Sequence, residues 1–181
     1  MLRDNSARNA GGGINNNGTV TVRNSSAYGN SGSSGGGIFN YVGNAATVSR
    51  SSVHDNTATT TYGGGGLTNY NGTLTVSESA VYGNAAPYGG GIRNDADGTT
   101  RLTRTWVADN TAGVQGGGLY VSSGTVTLEG SRVERNTANG GPGSGGGIYL
   151  ADGSVDLLRS VVRDNTPDNC APAGAVPGCV G

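Results

Sequence analysis

The sequence predicts an all-β fold, a right-handed parallel β-helix of about six and a half coils, on three observations. A triplet of glycines followed by isoleucine or leucine recurs every 24 to 29 residues. An asparagine recurs at a matching interval, and between these two signals apolar and polar residues alternate, as in half-buried strands. Equivalent strands of successive copies run in the same direction, so they stack as parallel sheets, and the usual chirality of parallel connections makes the coil right-handed.

The glycine triplet opens each repeat, where glycine lets the backbone turn sharply without a Cβ clash. Coils therefore start at Gly11, Gly35, Gly64, Gly89, Gly116 and Gly145. We expect a partial, truncated coil at residues 1–10, six coils over residues 11–166 and a C-terminal cap at residues 167–181. No export signal is visible at the start, and the first coil has no cap, so it is a candidate for end-to-end association.

Three short strands are expected in each coil. In the first full copy they lie around Ile14, around residues 20–22 and around residues 25–27. Within residues 19–22 the valines point to one face and the threonines to the other. Strands this short do not fold alone, so the stacked valines and isoleucines must form one continuous aliphatic core.

The asparagine column predicts a ladder of side-chain hydrogen bonds, because amides stacked at coil spacing can bond one another and the neighbouring backbone. Its members are Asn5, Asn30, Asn56, Asn84, Asn110, Asn136 and Asn165. Five residues before these asparagines runs a hydroxyl column that is expected to form a Ser/Thr ladder at the next corner. That column contains Ser25, Ser51, Ser79, Thr105, Ser131 and Ser160.

The composition of the chain argues against two classes of partner, nucleic acids and membranes. Glycine supplies 36 of the 181 residues, well short of the one-in-three period of collagen, and the formal net charge is -1. A nucleic-acid-binding domain would carry a basic surplus, and a membrane span would need about 20 apolar residues in a row. We therefore expect neither a nucleic-acid partner nor a membrane span, and the sequence indicates no cofactor and no metal.

The paired motifs Gly-Gly-Gly-Ile and Val-x-x-Asn resemble the GGA[ILV] and FxxN tetrapeptides of polymorphic outer-membrane protein repeats, with valine in place of phenylalanine. Residues 53–56, Val-His-Asp-Asn, and residues 107–110, Val-Ala-Asp-Asn, show the second motif. The resemblance runs from Leu2 to about Asn165. It implies a secreted or cell-surface bacterial protein with an adhesin-like binding or scaffold role, and hence an extracellular location.

Two cysteines lie in the C-terminal tail, which also resembles the end of secreted bacterial β-helix proteins. Cys170 and Cys179 are close enough in sequence to close a small loop, and we predict a disulfide between them. Two free thiols are the alternative.

No catalytic constellation is identifiable, so we expect a protein that is not an enzyme, with a polysaccharide-active, pectate-lyase-like enzyme as the alternative. Sugar hydrolysis needs two carboxylates facing each other across a groove. The densest acidic cluster, residues 94–98, is typical of an Asx-rich turn. The only histidine, His54, is expected to be a solvated surface residue, because the repeat places no serine or cysteine nucleophile beside it.

Two outward faces are candidates for binding. Tyr28, His54 and Tyr82 form an aromatic stripe that could contact carbohydrate or a surface protein. The middle strands present a threonine array that resembles ice-binding solenoids, so ice binding is a second alternative; threonine is also an ordinary exposed strand residue, and Arg101 and Asp156 interrupt the array. The array consists of Thr19, Thr21, Thr47, Thr73, Thr75, Thr125 and Thr127.

Overall fold

The fold follows from repeated short strands, whose backbone hydrogen bonds can be made only with the strands of neighbouring coils. The computed structural model describes residues 1–180, and in it every strand pairs in parallel with strands of the neighbouring coils. The strands form four sheets, which we number I to IV in the order in which a coil visits them. The described residues contain strands and turns but no helix. The predicted all-β parallel β-helix is therefore confirmed.

Sheets I and II follow the glycine triplet. Sheet I has seven strands: Ile14–Asn16, Ile38–Asn40, Leu67–Tyr70, Ile92–Asp95, Leu119–Val121, Ile148–Leu150 and Cys170–Ala171. Sheet II has six strands: Thr19–Arg23, Ala45–Ser49, Thr73–Ser77, Thr99–Thr103, Thr125–Glu129 and Ser154–Leu158. The last strand of sheet I lies in the C-terminal segment, which thus continues the sheet beyond the last glycine triplet.

Sheets III and IV lie on either side of the asparagine column. Sheet III has seven strands: Leu2–Arg3, Ser26–Tyr28, Ser52–His54, Ala80–Tyr82, Trp106–Ala108, Arg132–Glu134 and Val161–Arg163. Sheet IV has six strands: Ser6–Ala7, Ser31–Gly32, Thr57–Ala58, Ala85–Tyr88, Thr111–Gln115 and Thr137–Ala138. A coil that visits all four sheets returns to sheet I one step further along the solenoid.

The expectation of three strands per coil is wrong, because sheet IV supplies a fourth. Its strands lie in the segment after each asparagine, which varies in length and suggested a loop. Thr57 pairs with Ser31 on one side and with Ala85 on the other. The inward positions of this sheet hold small residues such as Gly32, Ala58 and Ala112, and strands of two residues show no alternation, so the sequence pattern carried no strand signal.

The interior is a column of aliphatic side chains, as predicted. Val53, Val81 and Val107 stack along sheet III and are completely buried. Sheet II contributes a parallel row that includes Val76 and Leu102, also completely buried. Because each inward residue lies directly above its equivalent in the next coil, the core is continuous from coil to coil.

The glycine triplet is required by a close approach between two backbones. A Cβ atom on Gly65 would lie 2.7 Å from the backbone nitrogen of Ala85, and one on Gly36 would lie 2.6 Å from that of Thr57. Both nitrogens belong to the sheet IV strand that completes the same coil. The expected sharp turn is therefore only part of the explanation, since at these positions glycine is needed to let sheet IV pack against the triplet.

The predicted asparagine ladder is present from Asn5 to Asn165. Each side-chain amide donates to the Oδ1 atom of the next asparagine at 2.8–3.0 Å. The same Oδ1 atom also accepts the backbone N–H of the donating asparagine at 2.9–3.2 Å. Asn169, in the C-terminal segment, accepts from Asn165 at 3.1 Å and so adds one further rung.

The left-handed backbone conformation lies on the residue before each ladder asparagine. Its φ is between 53° and 64° in all seven turns. The residues concerned are Asp4, Gly29, Asp55, Gly83, Asp109, Arg135 and Asp164. This geometry turns the chain so that each asparagine side chain points along the solenoid. Aspartate recurs at this position because it tolerates the left-handed conformation of the turn.

The serine column forms a ladder of a different kind. The Ser51 and Ser79 hydroxyls each accept the backbone N–H of the equivalent residue one coil earlier, at 3.1 Å. Ser131 and Ser160 do the same at 3.0 Å. Thr105 instead donates its hydroxyl to backbone carbonyls, so the ladder is interrupted there.

A second asparagine ladder, which the sequence analysis missed, runs along sheet I. Asn16 donates to Asn40 at 2.7 Å, Asn40 to Asn69 at 2.9 Å, and Asn69 to Asn94 at 3.0 Å. These residues lie two positions after the isoleucine or leucine of each repeat, and that spacing was the available signal. The ladder ends at Val121, where the column becomes apolar and joins the core.

We predict that Asn110→Ala destabilises the solenoid by several kcal/mol. The substitution leaves the Asn84 amide, the Asn84 backbone N–H and the Val81 carbonyl without their partner, and each unsatisfied buried group costs about 1–3 kcal/mol. Asn139→Ala is the matched control, because Asn139 is exposed and lies outside the ladders. Guanidinium unfolding of both variants measures the difference; equal losses would show that the ladder contributes nothing special.

Candidate functional site

A long groove runs over the outer surface of sheet III. Its floor consists of the small side chains of Ser26, Ser52 and Ala80, which follow one another from coil to coil. The groove has a volume of about 970 Å³. The next position in this row is Trp106, whose bulk replaces the small floor residues. The groove therefore exists because three consecutive coils carry a serine or an alanine where the fourth carries tryptophan.

Tyr28, His54 and Tyr82 lie beside this floor and stack on one another. The ring centroids of Tyr28 and His54 are 4.9 Å apart and those of His54 and Tyr82 are 4.7 Å apart, with interplanar angles of 8° and 2°. The structure thus brings the three predicted stripe residues together. Because the ring faces are turned towards each other, mainly the ring edges face outwards, which leaves little flat surface for a sugar ring.

His54 is not the isolated surface residue expected from the sequence. Its Nδ1 atom lies 2.7 Å from a carboxylate oxygen of Asp55, and its Nε2 atom lies 3.1 Å from the hydroxyl of Ser26. The expectation that no serine lies beside it is wrong. Ser26 belongs to the preceding coil, two residues before the Tyr28 that pairs with His54, and a long side chain reaches such a diagonal neighbour.

The opposite rim of the groove carries charge. Arg104 donates to Glu78 at 2.6 Å, and this hydrogen bond is the main reason that the pKa of the Glu78 carboxyl is lower than usual. Arg50 donates to the neutral amide oxygen of Asn24 at 3.0 Å. Among residues 1–180 Arg50 forms no ion pair. The rim therefore carries two arginines and one carboxylate, and the charge of Arg50 also contributes to the lowered pKa of Glu78.

Beyond Trp106 the outer surface of sheet III carries an ion-pair network around Glu134, beside a smaller hollow of about 380 Å³. The indole N–H of Trp106 donates to the Glu134 carboxylate at 2.9 Å, and Arg135 and Arg163 bind the same carboxylate at 2.9 and 3.0 Å. These contacts, the Trp106 hydrogen bond foremost, lower the pKa of Glu134, although burial acts in the opposite direction. The arrangement fixes the tryptophan that ends the groove.

A second surface, on sheet I and its loops, was missed by the sequence analysis. Phe39, Tyr41, Tyr62 and Tyr70 form an aromatic patch around a hollow of about 270 Å³. Tyr41 and Tyr70 stack at 6.0 Å, and Tyr62 is 71% exposed. Tyr41 and Tyr70 are equivalent residues of successive coils, three positions after the isoleucine or leucine, so the repeat contained the signal for their stacking. Tyr62 lies in a segment of variable length, and its position beside them was visible only in the folded chain.

A neighbouring hollow of about 280 Å³ adds amide groups to the aromatic patch. It shares Phe39 and Tyr41 with the first hollow and is otherwise lined by Asn9, Ala10, Asn15 and Asn17. Neither hollow has a charged residue in its lining. Flat apolar rings beside neutral hydrogen-bonding groups make this surface suitable for a ligand with both apolar faces and hydroxyl groups.

The pair formed by Tyr120 and Tyr149 has a different role. The two rings stack at 5.6 Å, and the buried guanidinium of Arg93 lies 5.0 Å above the Tyr120 ring while pairing with Asp95 at 2.7 Å. Burial raises the pKa of the Tyr120 hydroxyl. Aromatic rings and a carboxylate thus hold a buried cation, which fixes the sheet I surface at this coil.

The threonine array lies on the outer face of sheet II in the register expected from the sequence. Thr73 pairs with Ala45 and Thr99, and Thr75 pairs with Thr47 and Arg101. Arg101 binds Glu129 across this face at 2.5 Å, and Asp156 follows Thr127 in the same row. The charged pair interrupts the flat hydroxyl surface that an ice-binding face requires.

The acidic cluster at residues 94–98 is a turn. Ala96 and Asp97 have left-handed φ angles of 51° and 63°, Asn94 belongs to the second ladder, and Asp95 pairs with Arg93. Within residues 1–180 no group of three or more His, Cys, Asp or Glu side chains is placed to hold a metal ion. The described chain also has no helix of the length and apolarity needed to cross a membrane.

The sulfur atoms of Cys170 and Cys179 are joined in the structure, and they close the C-terminal segment over the last coil. Val176, between the two cysteines of this segment, is buried and belongs to the core. Asn169 adds its rung to the ladder directly beside Cys170. The segment therefore covers the end of the core, and its Asn169 also accepts the last side-chain hydrogen bond of the ladder.

Comparison with known proteins places the fold in a family. The family model described as right-handed beta helix region matches residues 2–176. The comparisons with curated proteins and with solved structures find no match.

We predict that Glu134 stabilises the fold above its ordinary pKa of 4.5 and that this stabilisation disappears on acidification. A carboxyl whose pKa is lowered by folding contributes stability that is lost as the pH falls through the folded-state value. Trp106→Phe keeps an aromatic ring, although a smaller one, but removes the indole N–H, so the Glu134 pKa should move back towards 4.5. Carbon-detected NMR titration of the carboxyl measures it; an unchanged pKa in the variant would refute the assignment.

Proposed function

Because this chain belongs to the right-handed β-helix family, we propose that it is the binding solenoid of a secreted or cell-surface bacterial protein and that it binds carbohydrate. The β-helix itself serves as a rigid structural scaffold. Binding occurs at the aromatic patch of Phe39, Tyr41, Tyr62 and Tyr70 on sheet I. The role is that of an adhesin-like module, in which a rod presents a recognition surface.

The exposure of the aromatic patch is the observation that carries this proposal. Tyr41, Tyr62 and Tyr70 are 46%, 71% and 36% exposed, although Tyr41 and Tyr70 stack on each other, whereas Tyr28, His54 and Tyr82 are each only partly exposed. Exposed aromatic rings clustered around a hollow cost free energy in water and mark binding surfaces. A sugar ring fits such a surface, since its C–H face packs on the aromatic rings while its hydroxyls bond nearby amides.

The neutral lining favours a neutral polysaccharide over a charged partner. Asn15 and Asn17 are exposed beside Tyr41 and can both donate and accept hydrogen bonds. An acidic polysaccharide would be expected to meet arginine or lysine, and a basic peptide to meet carboxylates, but the lining of the two hollows has neither. A glycosidase cleft needs two carboxylates, whereas the sheet III groove has Glu78 as its one acidic lining residue and the two hollows have none.

Two observations support a location outside the cytoplasm. The repeat motifs resemble those of polymorphic outer-membrane proteins, and the Cys170–Cys179 disulfide is of the kind that persists in oxidising compartments. We expect protein isolated from its own cells under thiol-blocking conditions to contain no free cysteine, as counted by mass spectrometry after denaturation. Two alkylated cysteines would place the protein in a reducing compartment and contradict the proposal.

We predict that Tyr41→Ala and Tyr70→Ala each weaken polysaccharide binding about fivefold or more, because each removes a stacking surface that contributes roughly 1 kcal/mol or more. Affinity electrophoresis in gels that contain cellulose derivatives, xylan, glucan or mannan gives the dissociation constants. Tyr149→Ala is the matched control, since Tyr149 is a stacked tyrosine on the same sheet that does not line either hollow. Absence of binding to all four neutral polymers, or an equal loss in the control, would contradict the assignment.

A further inference from the structure

We propose that the sheet III groove is a second, catalytic site, in which Ser26, His54 and Asp55 act as nucleophile, general base and orienting acid in the hydrolysis of carboxylic esters. This site lies on a different sheet from the aromatic patch and does not depend on carbohydrate binding. Because a coil visits the sheets in the order I to IV, sheets I and III are separated by sheet II on one side and by sheet IV on the other.

The three side chains have the hydrogen-bond geometry of such a triad. The Asp55 carboxylate lies 2.7 Å from His54 Nδ1, and His54 Nε2 lies 3.1 Å from Ser26 Oγ. In the tautomer that carries its hydrogen on Nδ1, Asp55 accepts that hydrogen, and Nε2 can accept the hydrogen of Ser26. Ser52 donates its own hydroxyl to Ser26 Oγ at 2.9 Å, so the direction of the Ser26 hydroxyl is determined.

The chain brings a histidine together with a carboxylate and a hydroxyl at this one place, and the three residues come from two neighbouring coils. At the position of His54 the adjacent coils carry Tyr28 and Tyr82, and at the position of Asp55 they carry Gly29 and Gly83. A purely structural role in stacking would be served by a third tyrosine. The one histidine of the chain is instead placed next to a carboxylate on one side and a hydroxyl on the other.

The surroundings of His54 suit a base that becomes charged during reaction. The ring is held between two tyrosine rings at 4.7 and 4.9 Å, which restricts its rotation, and its side chain is only 17% exposed. Two aromatic faces and a carboxylate stabilise the imidazolium that forms when Nε2 takes a proton. Ser26 is partly exposed on the groove floor, so an ester can reach it.

The reaction follows from these positions. Ser26 Oγ forms a bond to the carbonyl carbon of the ester while its proton passes to His54 Nε2, and the carbonyl electron pair moves to the oxygen. When that pair returns, the bond to the alcohol oxygen breaks and the alcohol takes the proton from Nε2. Water then attacks the acyl–Ser26 ester in the same way, giving a carboxylic acid and the original serine. Arg50 lines the same groove, and we assign it the role of the positive charge that stabilises the oxyanion.

The test combines a serine-directed fluorophosphonate probe with hydrolysis of 4-nitrophenyl acetate and butyrate. We expect the probe to modify Ser26, identified by peptide mass spectrometry, and Ser26→Ala and His54→Gln each to lower kcat/KM at least about 100-fold. Asp55→Asn should lower it about tenfold or more, since it removes the acceptor that selects the productive tautomer. Circular dichroism and thermal unfolding verify that the variants keep the fold.

Ser77→Ala is the matched control, because Ser77 is a partly exposed serine on sheet II outside the groove, and it should hydrolyse both esters at the rate of the unmodified protein. Hydrolysis no faster than that of free imidazole would overturn the proposal. So would full activity in Ser26→Ala with loss in His54→Gln, which would identify an ordinary reactive surface histidine. Polysaccharide binding and ester hydrolysis are measured in separate assays, so failure of the carbohydrate proposal is recognised separately.

Discussion

Hydrogen bonding along the asparagine ladder is the constraint on which the rest of the structure depends. Each asparagine Oδ1 accepts two hydrogens from the preceding coil, one from the side chain and one from the backbone, so two coils are linked in a single register. A one-residue slip would move every inward valine of sheet III to the surface. The ladder thus decides not only where the chain turns but also which side chains of sheets III and IV lie in the core and which lie outside.

The same constraint shapes the residues beside the ladder. The position before each asparagine is left-handed, and aspartate alternates there with glycine or arginine along the solenoid. A Cβ on Gly29 would lie 2.5 Å from an Asp4 carboxylate oxygen, and one on Gly83 would lie 2.6 Å from an Asp55 oxygen. Alternation therefore gives each carboxylate room and keeps like charges two coils apart. It also leaves the Asp55 carboxylate close to His54, which links a structural requirement of the turn to the proposed chemistry of the groove.

Function in such a fold depends on departures from the repeat. In the sheet III groove the departures are a histidine between two tyrosines and a tryptophan after a row of small residues. In the aromatic patch they are tyrosines at one position of two successive coils, Tyr41 and Tyr70, and Tyr62 in a segment that differs in length from coil to coil. The regular columns build a rod with closely similar coils, whereas single substitutions and insertions give individual coils distinct surfaces. Both proposed sites span at least two coils, so neither would exist in an isolated repeat.

The sequence by itself determined the β-helix, the main asparagine ladder, the positions of the aliphatic core and the stripe of Tyr28, His54 and Tyr82, because all of these are columns at one fixed place in the repeat. It could not indicate sheet IV, whose inward glycines and alanines carry no strand pattern. The contact between Ser26 and His54 and the patch around Tyr41 and Tyr62 were decided only by the tertiary structure. The first joins residues that are diagonal rather than equivalent, and the second joins loops of unequal length, so their distances depend on the folded path of the chain rather than on its period.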